Sequence, residues 1–196
     1  QEGVFMQMYQ PVEPDDFELV QRLGYELRKD NYRSICAKFK DLDARGACLR
    51  EAWPLFREGV VSGSGVKNFC SGHPTNLEEA CYLTASSIVG RMNLSNPQSA
   101  VLACNRFPAE FKLQCFETVA QAFLEEDRND GTRAILICQE SDDSIARSCL
   151  MDLAQKASFI FARESPEAAR FCAKLPPEFA SVCTAGISSQ THVIRR

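Results

Sequence analysis

Apolar residues recur along this chain in steps of three and four, in blocks that themselves repeat. Tyr32, Ile35, Cys36 and Phe39 form the first block, and Val66, Phe69, Cys70 and His73 the second. Three more follow: Ala100, Ala103, Cys104 and Phe107; Ala134, Ile137, Cys138 and Ser141; Ala168, Phe171, Cys172 and Leu175. Four positions before a cysteine, one before it, the cysteine and three after it share one face of an α-helix. Each block therefore predicts a short helix A with its cysteine in a buried stripe. Pro74, Pro108, Asp142 and Pro176 come next in register. Proline there ends helix A and suits the first turn of another helix, where its missing N–H costs nothing.

That second helix, B, has its own stripe about a second cysteine. Leu77, Phe111, Ile145 and Phe179 stand four residues before it; Ala52, Ala85, Val119, Leu153 and Ile187 stand four after. Phe56, Val89, Phe123 and Ala157 stand eight after, a helical spacing. Ser141-Asp142-Asp143 and Ser165-Pro166-Glu167 read as capped helix starts, and Asn129-Asp130-Gly131 and Ser95-Asn96-Pro97 as turns. Phe17, Val20, Leu23 and Leu27 predict a further helix over 14–29, which carries no cysteine and would cap the N-terminal end.

The cysteines act as a ruler. The first of each pair falls at 36, 70, 104, 138 and 172, and the second at 48, 81, 115, 149 and 183. Every step is 34 except the first of the second series, which is 33 because copy one holds an extra residue between its pair. A fixed period of that size signals a solenoid of repeated hairpins. Three readings of the cysteines compete. Bridges within each copy (Cys36–Cys48, Cys70–Cys81, Cys104–Cys115, Cys138–Cys149, Cys172–Cys183) leave none over, whereas pairing across copies strands Cys36 and Cys183. Metal binding would want closer spacing and more than two histidines. Buried thiols, packing as small apolar groups, are the third reading. The first is favoured, and it implies an oxidising compartment, secreted or periplasmic. Gln1 then fits the start of a mature exported chain, although an N-terminus chosen for expression explains it equally well, and Asn93-Leu94-Ser95 reads as a glycosylation sequon in a loop.

Composition changes this picture little. The 196 residues are 45% hydrophobic and 24% charged, a globular balance. Acidic residues outnumber basic ones, 26 to 22, which argues against an electrostatic nucleic-acid binder. No apolar run approaches the roughly 18 residues of a membrane span.

The 34-residue two-helix period and paired cysteines resemble the tetratricopeptide superfamily, and most nearly its exported, disulfide-linked Sel-like relatives. The resemblance covers residues 30–196 and is architectural: the tetratricopeptide signature residues are absent, Trp53 alone occurring, within helix B. It implies an interaction scaffold.

Candidate chemistry is sparse. No phosphate loop, nucleophile elbow or zinc-protease motif occurs, so no catalytic residue, metal ligand or cofactor is assigned. Glu78-Glu79, Glu125-Glu126 and Asp142-Asp143 read as solvated faces or caps, and Gly59, Gly63 and Gly65 as a flexible loop. Trp53-Pro54 should kink or end helix B of copy one. His73 occupies a slot filled by Phe39, Phe107 and Leu175 elsewhere; it either reaches solvent beside Pro74 or serves as a ligand contact or pH-sensitive group. Three and two residues before the first cysteine, copies one and two carry Arg33, Ser34, Lys67 and Asn68, whereas copies three and four carry Val101, Leu102, Ile135 and Leu136. These positions lie off the core stripe. They are either an exposed apolar groove for a peptide, flanked by Arg33, Lys67, Arg106 and Arg170, or core buried by stacking. The sequence therefore predicts an all-α, right-handed α-α solenoid. A segment over 1–29 with a capping helix precedes five disulfide-bridged hairpins over 30–196 in one domain. The expected role is an exported, non-enzymatic protein- or peptide-binding scaffold, with a binder of glycan or peptidoglycan fragments as the alternative.

Overall fold

A computed structural model describes residues 28–71, 73, 75–162 and 165–189, and among these every regular element is helical. The helix expected over 14–29 lies outside the described residues apart from its last two positions. All five intra-copy disulfides are formed, with Cα atoms 5.5–5.6 Å apart, as facing antiparallel helices allow. The chain divides into two compact units, 1–85 and 86–196.

Unit 1 holds copies one and two. Its helices are α1 (Tyr32–Cys36), α2 (Leu42–Glu51), a 3₁₀ turn (Trp53–Phe56), α3 (Arg57–Val61), α4 (Val66–Cys70) and the beginning of α5 (Thr75–Met92). Asp41 caps α2 by accepting from Ala44 N at 2.8 Å. Helix B of copy one breaks where Trp53-Pro54 predicted. Pro54 cannot donate to the carbonyl four residues back, so α2 stops, and Leu55 N instead donates to Ala52 O at 3.0 Å. The glycines beyond form a tight turn. Gly65 N donates to Gly59 O at 2.9 Å, and a Cβ on Gly65 would meet Gly59 Cα at 3.0 Å. Gly63 adopts φ 76°, which a side chain would resist. Tyr32, Ile35, Leu49, Val60, Val66, Phe69 and Tyr82 form the core. Through it runs a chain of ring contacts, Tyr32 to Phe56 at 5.3 Å, Phe56 to Phe69 at 5.5 Å and Phe69 to His73 at 5.6 Å.

Unit 2 holds the end of α5 and copies three to five. These are α6 (Pro97–Asn105) with α7 (Ala109–Glu126), α8 (Thr132–Gln139) with α9 (Asp143–Ile160), and α10 (Pro166–Lys174) with α11 (Pro177–Ser188). Asn96 and Ser165 cap α6 and α10, each just before a first-turn proline. Asp142 precedes α9 without a side-chain cap, and Ser141 donates to Cys138 O at 2.7 Å, closing α8. The B helices pack side by side, α9 against both α7 and α11, while α8 rests on α7, α9 and α6. The alternating stripe is the core: Ala100, Ala103, Cys104, Val119 and Phe123 are fully buried. Alanine and cysteine let the paired helices approach closely. Gly131 joins α7 to α8 at φ 64° beneath the Phe171 ring. Arg133 donates to Leu94 O at 2.8 Å, and Lys174 pairs with Asp130, tying neighbouring copies together.

Candidate functional site

The off-stripe positions of the A helices divide. Val101 and Ile135 are buried, so neither offers an exposed apolar surface. The reason is local: α6 and α8 pack on each other as well as on their B helices, which widens the buried stripe. Leu102 remains 56% exposed and Leu136 is half-buried, at the same register on adjacent helices. Arg33 and Lys67 are exposed in unit 1, and Arg106 and Arg170 in unit 2. Arg33 bonds Tyr32 Oη at 2.9 Å, and Arg170 pairs with Glu167 at 3.0 Å.

His73 does not reach solvent; it is 8% exposed. Its Nδ1 lies 3.2 Å from the Cys70 carbonyl oxygen, and its Nε2 is buried without a hydrogen-bond partner. Burial, together with the charges of Arg50 and Arg33, holds its pKa down to about 4 despite the Cys70 and Phe69 carbonyls.

The sequon is also turned inward. Asn93 is buried, and its side-chain nitrogen, the atom a glycan would take, donates to Val89 O at 2.8 Å at the end of α5. Of the paired acids, Glu125, Glu126, Asp142 and Asp143 are exposed.

The sequence reading missed an open groove of about 390 Å³ between α7 and α9. Glu117 lines it from α7, and Arg147, Ser148, Met151, Asp152 and Gln155 from α9. Steps of three and four along α9 put Ser148, Met151, Asp152 and Gln155 on one side of the helix. Phe159, 88% exposed, lies one turn beyond Gln155. Burial raises the Glu117 pKa, and the Asp152 carboxylate raises it further, against the opposing pull of Lys156. Asp152 Oδ2 lies 2.9 Å from Lys156 Nζ, yet that pairing lacks hydrogen-bond alignment and the oxygen is buried. Gln114 Oε1, one turn before Glu117 on α7 and outside the groove lining, is a buried acceptor without a hydrogen-bond partner. The groove thus offers carboxyl groups from Glu117 and Asp152, the latter paired with Lys156, a cation from Arg147 and one soft apolar contact from Met151. These residues lie off the apolar stripes, so in sequence they look like an ordinary solvated face; only helix packing distinguishes them.

Among the described residues no group of His, Cys, Asp and Glu is placed to hold a metal ion, and no helix is long and apolar enough to cross a membrane. No family model, curated protein or solved structure matches the chain.

Proposed function

We propose that this protein is an exported, non-enzymatic scaffold that binds a polypeptide carrying basic side chains. The α7–α9 groove carries the reading. Its carboxyl groups at Glu117 and Asp152, the latter already beside Lys156, suit a guanidinium or ammonium group, while Met151 adapts to an aliphatic neighbour. Five disulfides support the exported assignment, since such bonds persist in secreted or periplasmic surroundings. The wider architecture we assign is a right-handed solenoid over 30–196 of the tetratricopeptide or Sel-like kind. Its supports are the 34-residue period and, within unit 2, the side-by-side B helices.

A glycan-binding alternative is favoured by one feature. Phe159 and Gln155 set an exposed aromatic face beside a carboxamide on one stripe of α9. Calorimetric titration of oxidised protein with an arginine- and lysine-rich oligopeptide, and separately with N-acetylglucosamine oligomers, distinguishes the two. The expected outcome is peptide binding that weakens at least tenfold in Glu117→Gln/Asp152→Asn and is unchanged in Phe159→Ala. Oligomer binding lost in Phe159→Ala would select the glycan alternative. Peptide binding indifferent to both groove substitutions would remove the groove as the site.

A further inference from the structure

The groove leaves His73 unexplained. In copies three and five the same slot holds Phe107 and Leu175, both buried, which close the end of helix A with apolar surface. Copy two places an imidazole there, inside the ring chain of unit 1, edge-on to Phe69. With the Nδ1 proton directed at the Cys70 carbonyl, Nε2 keeps a bare lone pair in a buried position that supplies it no donor.

Protonating Nε2 would add an N–H where no acceptor stands and a positive charge where the surroundings are already positive. The charged side chains acting on the ring are Arg50 from α2 and Arg33 from α1. From α4 come the Phe69 ring and the carbonyl oxygens of Phe69 and Cys70. A buried, unpaired imidazolium is costly, so the proton is accepted only if the ring leaves its slot.

We propose that His73 is an acid-released latch: neutral, it closes unit 1, and on protonation it swings out and loosens α1, α4 and the start of α5, while Cys36–Cys48 and Cys70–Cys81 keep both hairpins tethered. The closed form holds the ring at a pKa of about 4, below the ordinary 6.5 of a solvated histidine. The open form therefore binds the proton more tightly, and acid favours it. The latch is fully engaged above about pH 6.5 and is lost progressively as the pH falls towards 4. Unit 2 has no histidine among its described residues and lacks the device.

Hydrogen exchange of the oxidised protein, read by mass spectrometry from pH 7.5 to 4.5 and corrected for intrinsic exchange, tests this. Amides of α1 and α4 should lose at least tenfold in protection, with those of α7 and α9 unchanged. His73→Phe, which copies the Phe107 slot, should abolish that loss; His73→Leu, copying Leu175, is the second variant should phenylalanine fail to fit. In the wild-type protein an NMR titration should show one imidazole titrating well below 6.5, assigned by its absence from His73→Leu. Acid-independent protection in the wild type, an unaltered acid loss in the variants, or a His73 titration at or above 6.5 would each overturn the latch.

Discussion

The first two A helices, α1 and α4, are five residues long, whereas α6, α8 and α10 run nine, eight and nine. The B helices differ as well. Copy one's is broken into α2, a 3₁₀ turn and α3, while α7 and α9 each run 18 residues. The same period thus yields short A helices and a broken first B helix in unit 1, where only α5, which continues into unit 2, runs unbroken for 18 residues. A five-residue helix forms little more than one turn and cannot persist alone, because the nucleation cost falls on too few hydrogen bonds. In unit 1 the cross-link and the aromatic chain substitute for helix length. In unit 2 long helices bury a wide stripe, and the disulfide adds to a hairpin that already packs.

Removing equivalent bridges tests that contrast and should have the largest effect. Each closes a loop of eleven or twelve residues, a constraint of about 3 kcal/mol on the unfolded chain. Cys70→Ala/Cys81→Ala should leave α4 unprotected in hydrogen exchange under native conditions. Cys138→Ala/Cys149→Ala should lower the denaturation midpoint while α8 stays protected. Equal loss of protection in α4 and α8 would show that helix length is not what the bridge offsets.

Gly131 sharpens the comparison from the side of unit 2, where the weak points are turns. At φ 64° an alanine is strained, and its Cβ would lie 2.5 Å from the buried Phe171 ring. Gly131→Ala should therefore cost about 2 kcal/mol or more in urea denaturation. Retained stability would mean that the α7–α8 turn can adopt another conformation without disturbing copy five.

Much of this was legible in the chain. Cysteine spacing sufficed for the bridges because each pair sits on facing stripes near a short connection, a local constraint. Pro54 marked the break in helix B for an equally local reason, its missing N–H. What was not legible depends on which helix lies next to which. Arg33 and Lys67 are exposed while Val101 and Ile135 at the same register are buried, since α6 and α8 cover each other. His73 was expected beside solvent and is buried in the ring chain. The Glu117–Asp152 groove joins two helices 34 residues apart, and no single-helix pattern announces it. Gly59 and Gly65 looked like loop residues because sequence does not show two backbones in contact.

The smallest effect is expected at Leu102, and its neighbour makes that informative. Val101, 5% exposed, and Leu102, 56% exposed, are adjacent on α6 yet point to different surroundings. Val101→Ser removes buried methyl groups and inserts a hydroxyl among apolar neighbours, costing about 2 kcal/mol in chemical denaturation. Leu102→Ser should change stability by no more than about 0.5 kcal/mol, as for surface substitutions without a buried partner. The corresponding changes in unit 1, Lys67→Ser and Asn68→Ser, should both be near neutral, because α4 exposes both positions. A large loss from Leu102→Ser would mean that α6 buries its outer face in solution, extending to a third side the packing it already makes with α7 and α8.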